Sequence, residues 1–211
     1  AQNRAVEEIC RDLQRGVPMN RLVQGDVGSG KTMVAAAALY LAAKNAHQAA
    51  LMAPTEILAE QHFASLEPLF RALGLPCVLL TGSLSSKAKA AARQALAEGA
   101  AQIAVGTHAL LTEATVFRDL SLVVTDEQHR FGVAQRGALS EKGKDCHVLV
   151  MSATPIPRTL TLILYGDLEI SVLDELPPGR EPVDTFLVGE SYRARLNGFI
   201  RRQVSEGHQC Y

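Results

Sequence analysis

The sequence predicts an α/β fold: a central, mostly parallel sheet with helices on both faces. Three observations point there. Short apolar runs alternate with longer helix-like stretches along most of the chain, which is the signature of strand–helix–strand units. Two of the runs, Leu120–Thr125 and His147–Ser152, are nearly continuous in apolar residues, as strands covered on both faces must be. A glycine-rich loop, Gly25-Asp26-Val27-Gly28-Ser29-Gly30-Lys31-Thr32, joins the first apolar run to an alanine-rich stretch with nothing to break a helix.

Taken in order, the strand candidates are Arg21–Gln24, Ala49–Ala53, Cys77–Thr81, Ile103–Gly106, Leu120–Thr125 and His147–Ser152. Helices are expected near Thr32–Lys44, Glu56–Leu73 and Lys87–Glu98. The middle one places Ala59, Phe63, Leu66, Phe70 and Leu73 on one helical face. Past Asp174 the texture changes. Leu176-Pro177-Pro178-Gly179-Arg180-Glu181-Pro182 carries three prolines, which remove backbone donors and fix φ, so residues 176–182 read as an interdomain linker closing a first domain over 1–175. A strand over Val183–Val188 and a helix over Ser191–Ser205 are expected beyond it. That stretch, 183–211, is too short to bury a core and reads as the incomplete start of a second domain.

Composition sets outer bounds. At 47% hydrophobic and 20% charged the chain is ordinary for a globular protein, and no run reaches the length of a membrane span. The first residue is not Met and no hydrophobic leader follows, which reads as a piece of a longer cytosolic protein. Cys10, Cys77, Cys146 and Cys210 are scattered without a C-x-x-C pair and read as reduced thiols. The six His residues are equally scattered, without the spacing of a metal site. A net charge of −1 excludes nucleic-acid binding through a broad basic field, but not binding through helix ends and a few polar side chains.

The motifs all fall at the ends of strands, where ligands of parallel sheets bind. The glycine loop spells G-x-x-x-x-G-K-T between strand and helix, the setting in which backbone N–H groups turn inward around a phosphate chain. Lys31 would reach the β- and γ-phosphates and the Thr32 hydroxyl would hold Mg²⁺. Asp126 and Glu127 end an apolar strand, an arrangement in which the first acid holds the metal and the second activates water. Ser152-Ala153-Thr154 ends the next strand. Pro54-Thr55-Glu56 and Gly106-Thr107-His108 end two more and open helix-like or loop segments suited to anchoring backbone phosphates. His62, on the helix after Pro54, reads as a partly exposed surface residue.

With these residues in order (Gln2, the Gly25–Thr32 loop, Ala53-Pro54-Thr55-Glu56, Thr81-Gly82, Gly106-Thr107-His108, Asp126-Glu127-Gln128-His129, Ser152-Ala153-Thr154), the chain resembles the first RecA-like motor domain of superfamily 2 helicases. Within that superfamily it is most similar to the RecG family of branch-migrating DNA helicases. The strings Asp126-Glu127-Gln128-His129-Arg130-Phe131-Gly132-Val133, Ser152 through Leu160, and Asp174-Glu175-Leu176-Pro177-Pro178-Gly179-Arg180 carry that likeness over essentially the whole chain. The transcription-repair coupling translocases are the alternative; they usually carry Glu at the place of Gln128 and Phe at that of Ser29.

The resemblance implies ATP and Mg²⁺ as cofactors, with Gly25, Asp26, Val27, Gly28, Ser29, Gly30, Lys31 and Thr32 around the phosphates and Gln2 reading the adenine edge. Asp126 holds Mg²⁺, Glu127 is the general base, and Gln128, His129, Ser152 and Thr154 couple hydrolysis to movement. Thr55, Gly82, Thr107 and His108 line a DNA track. Thr125 stands where an aliphatic residue is more usual, and a buried hydroxyl there needs a partner. The implied partner is branched duplex DNA, forks and Holliday junctions, engaged by a monomeric protein of the bacterial cytosol or nucleoid without any membrane role. A GTP-dependent switch would need an N-K-x-D strand end, and that tetrapeptide does not occur. A nucleotide-binding module without chemistry is the third reading, and Lys31, Asp126 and Glu127 argue against it.

Overall fold

The structure, a computed structural model, describes residues 1–126, 146–153, 168–175 and 184–210. Glu127, Gln128, His129 and Thr154, and the proline-rich stretch 176–182, lie outside the described residues. The chain divides into two units, Ala1–Pro177 and Pro178–Tyr211.

Among the described residues of the first unit, seven strands form one sheet: β1 (Asn20–Gly25), β2 (Gln48–Met52), β3 (Cys77–Leu80), β4 (Ile103–Gly106), β5 (Leu120–Asp126), β6 (His147–Ser152) and β7 (Glu169–Leu173). Their order across the sheet is β3-β4-β2-β5-β6-β1-β7, and every pairing is parallel. The α/β class expected from the sequence is therefore the class found.

Successive strand residues point to opposite faces, and the core divides accordingly. Leu51, Val105, Leu122, Val124 and Met151 pack on one face with helices α1 (Gln2–Leu13), α2 (Lys31–Lys44) and α3 (Glu56–Ala72). Met52, Ala104 and Val123 pack on the other with α4 (Ser86–Glu98) and a 3₁₀ turn at His108–Leu111. Helices cover both faces, as buried parallel strands require.

Local chemistry sets the helix ends. The Thr55 hydroxyl accepts from the Leu58 amide at 3.3 Å and starts α3; Ser85 does the same for α4 with Ala88 at 3.2 Å. Gly99, at φ +76°, ends α4 in the left-handed region. Of the expected apolar face of α3, Ala59, Leu66 and Phe70 are buried and Phe63 packs against them. Leu73 does not join them: it lies past the last turn and is exposed.

Two elements were not expected. Helix α1 buries Ala5, Ile9 and Asp12 at helical spacing. Strand β7 is an edge strand whose polar residues alternate with apolar ones.

In the second unit a 3₁₀ turn (Glu190–Tyr192) leads into helix α5 (Arg193–Ser205), close to the expected helix. The strand expected over Val183–Val188 is not formed: 184–189 has no regular structure, and Val183 lies outside the described residues. A strand is held by its neighbours' backbone groups, and this segment has none to pair with among the described residues.

Candidate nucleotide site and the motif edge of the sheet

The phosphate loop grows directly out of β1. Gly28 and Gly30 adopt φ of +83° and +90°, where side-chain-bearing residues are strained. A Cβ on Gly30 would lie 2.2 Å from the Gln2 amide nitrogen, and one on Gly25 would lie 2.6 Å from the Ser29 hydroxyl. At Gly25 the Leu173 Cβ, 2.8 Å away, also crowds the place a side chain would take, while at Gly30 it is the positive φ that favours glycine. The Lys31 ammonium binds the Gly25 and Asp26 carbonyl oxygens at 2.8 Å each. It is thereby held over the loop mouth, with donors that can be re-aimed at phosphate oxygens. Thr32 follows in the first turn of α2, whose positive end faces the loop.

Gln2 is tied to the same loop. Its side-chain amide donates to the Ser29 carbonyl at 2.9 Å, so α1 is fastened to the phosphate loop through this residue. These fits — left-handed glycines, an amine at the mouth, a helix N-terminus behind — suit a nucleoside triphosphate with its magnesium ion, Thr32 and Asp126 being the oxygen donors available to the metal.

Asp126 ends β5, two strands from β1 with β6 between them, and Ser152 ends β6, buried. Asp126 is bonded to a residue the sequence reading set aside. His62 Nε2 lies 2.6 Å from Asp126 Oδ2, with the two side chains only 12% and 18% exposed. His62 is partly exposed, as expected, but its ring is turned onto Asp126 rather than free in solvent. It sits three residues after Ala59 and four before Leu66, on the buried face of α3, and that register was the signal that would have found it.

The Thr125 hydroxyl was expected to need a partner. It is buried with no hydrogen bond among the described residues, and its register neighbours in β2 and β6, Met52 and Val150, offer no polar side chain.

The other motif residues follow at the ends of the adjacent strands. Thr55 follows β2, Thr107 and His108 follow β4, and Gly82 follows β3. Thr55 and His108 are exposed; Thr107 is buried and its hydroxyl has no partner among the described residues. The backbones at these ends are laced together, Ala53 N–H to Gly106 O at 2.8 Å and Thr107 N–H to Leu80 O at 3.3 Å. A Cβ at Gly106 would meet the Leu80 carbonyl at 2.1 Å, so only glycine permits that approach. The sheet edge therefore has two halves: β1, β6 and β5 carry the phosphate-loop and acidic motifs, while β2, β4 and β3 carry Thr55, Thr107, His108 and Gly82.

A profile of the DEAD/DEAH box helicases matches residues 1–163. The chain belongs to the DEAD/DEAH box helicase family. Among this family's curated members it is 54% identical to the ATP-dependent DNA helicase RecG of Synechocystis sp. and 49% identical to that of Bacillus subtilis, over its whole length in both cases. It spans 25% and 31% of those two proteins. A solved structure of RecG bound to a three-way DNA junction matches with a TM-score of 0.78 at 43% identity, over 98% of this chain and 28% of that one. The DUF1998 helicase MrfA, at 18% identity and a TM-score of 0.66, shares the fold over 97% of this chain and 34% of that one. The RecA-like helicase fold expected from the motifs is thus the one present, and the transcription-repair coupling alternative finds no support in these relatives.

Proposed function

We propose that the chain is the ATP-binding first motor domain of a RecG-like DNA helicase, which couples ATP hydrolysis to branch migration and reversal of stalled forks in DNA repair and recombination. The observation that supports this reading is the two-part sheet edge, with the glycine loop and Asp126 on one half and Thr55, Gly82, Thr107 and His108 on the other, in a chain about half identical to RecG throughout.

In this reading Lys31 and the loop amides bind the β- and γ-phosphates, while Thr32 and Asp126 hold Mg²⁺, which neutralises phosphate charge when bound. Gln2 reads the adenine edge. Glu127 takes the proton of the attacking water, and Gln128, His129, Ser152 and Thr154 pass the nucleotide state to the track lined by Thr55, Gly82, Thr107 and His108. Residues 1–175 form the first motor domain, 176–182 the linker and 183–211 the beginning of the second, in a monomeric protein of the bacterial cytosol or nucleoid acting on forks and Holliday junctions. Among the described residues no helix is long and apolar enough to cross a membrane.

The test uses the full-length protein. Its ATPase should rise on fork and junction DNA more than on single strands. Glu127→Gln should keep nucleotide binding and lower hydrolysis by about 10²–10⁴-fold, the usual worth of a general base. Lys31→Ala should weaken binding itself. An ATPase indifferent to branched DNA, or a Glu127→Gln variant within a few-fold of wild type, would overturn the reading.

A further inference from the structure

Helix α3 begins at the capping hydroxyl of Thr55, immediately beyond the end of β2, and β2 is the sheet neighbour of β5. Its second turn therefore passes the end of β5. Ala59 and Leu66 point into the core from this helix, and His62 lies between them on the same face. What stands there is an imidazole whose Nε2 meets Asp126 Oδ2 at 2.6 Å, across 64 residues of sequence. A carboxylate can only accept, so Nε2 carries the proton in this bond.

We propose that His62 is a positioning residue for the metal-holding carboxylate of this ATPase, its Nε2–H fixing one oxygen of Asp126 so that the other is presented to Mg²⁺. The inference rests on the reading of Asp126 as a metal-holding acid. Asp126 is the last residue of its strand, its backbone still in register with Met151 of β6 and its side chain beyond the apolar run. A carboxylate with two free rotors must be ordered when the ion arrives, and a hydrogen bond already in place removes that cost. Because His62 belongs to the helix that opens at Thr55, the same bond ties the acid to the nucleic-acid half of the edge.

The experiment measures binding of a fluorescent ADP or ATP analogue to the chain as Mg²⁺ is titrated, and again in EDTA. His62→Leu keeps the packing and removes the donor; His62→Gln restores an N–H donor. His62→Leu should raise the Mg²⁺ needed for half-maximal binding by about tenfold, within the 10–100-fold range of lost partners to metal ligands. Binding in EDTA and the thermal midpoint should stay as in wild type. His62→Gln should recover most of the Mg²⁺ affinity. A Mg²⁺ requirement unchanged or lowered in His62→Leu overturns the proposal, as does equal loss with and without Mg²⁺, or a Gln variant no better than the Leu one. If His62→Leu does not fold, the Gln variant decides, and a Mg²⁺ requirement far from wild type overturns the proposal. If wild type itself shows no Mg²⁺-dependent binding, the metal role of Asp126 falls first and takes this inference with it.

Discussion

At the scale of single residues, His147 shows how burial is turned into a dependence on pH. Its Nδ1 accepts the Met19 amide at 2.9 Å, so the fold uses the neutral ring. Burial first, and then the nearby His47, hold its pKa below the ordinary 6.5, while Asp12 pulls the other way. His47 is itself paired with Asp119 at 2.7 Å. The unfolded chain then binds a proton that the folded chain resists, so the contribution is complete above about pH 6.5 and is lost as pH falls through and below that value. Thermal midpoints should drop between pH 7.5 and 5.5, by less than the limit of about 1.4 kcal/mol per pH unit for one proton, since the ring is partly solvated. His147→Asn keeps an acceptor without titrating, and differential scanning calorimetry should find its slope shallower; an identical slope would assign the effect elsewhere. The thiols of Cys77 and Cys146, pushed up to about 12 chiefly by burial, stay protonated throughout this range.

At the scale of elements, α1 is joined to the sheet by buried charge rather than by apolar contact alone. Arg21, on β1, donates through Nε to Asp12 at 2.6 Å and through Nη1 to Ser171 of β7 at 2.8 Å and Glu8 at 3.2 Å; Ser171 also donates to Glu8. Arg21 and Asp12 are almost fully buried. Removing one partner strands the other, which costs about 3–5 kcal/mol in such settings. Arg21→Met should fall near the lower end, because Arg15 also pairs with Asp12 at 3.1 Å. Urea denaturation would measure it, and a loss below about 1 kcal/mol would mean that the cluster is not holding the helix. The same cluster explains why α1 and β7 escaped a reading based on apolar periodicity. Their buried positions include Asp12 and Ser171, and those polar residues are interior because Arg21 is. The other six strands were legible to within a residue or two, because their buried polar residues, Arg21, Gln48, Thr125 and Ser152, sit at or near the ends of otherwise apolar runs. The phosphate loop was legible too, as a spacing of glycines beside a lysine. The His62–Asp126 contact was not, since pairing between a helix and a distant strand end depends on sheet order, which periodicity does not contain.

At the scale of the whole molecule, the proposed function makes these residues one wall of a nucleotide cleft. In P-loop enzymes an arginine reaching in from an opposing surface is worth about 10³–10⁵ in turnover. Water activation cannot replace that charge stabilisation. A polypeptide limited to these 211 residues should therefore bind Mg²⁺–nucleotide yet hydrolyse almost none, with or without DNA. A phosphate-release assay, with Lys31→Ala as the control for contaminating enzymes, checks this; robust DNA-stimulated turnover abolished by that substitution would refute it.

The position of β1 has a consequence in time as well as in space. Both of its neighbours, β6 and β7, come from the far end of the first unit, beginning at His147 and Glu169. On a ribosome, the strand bearing the glycine-rich loop emerges well over a hundred residues before either strand it pairs with. At about 5–20 residues per second that interval is on the order of ten seconds. Within this fold the glycine-rich loop is thus synthesised before the strands that flank it and is assembled among the last.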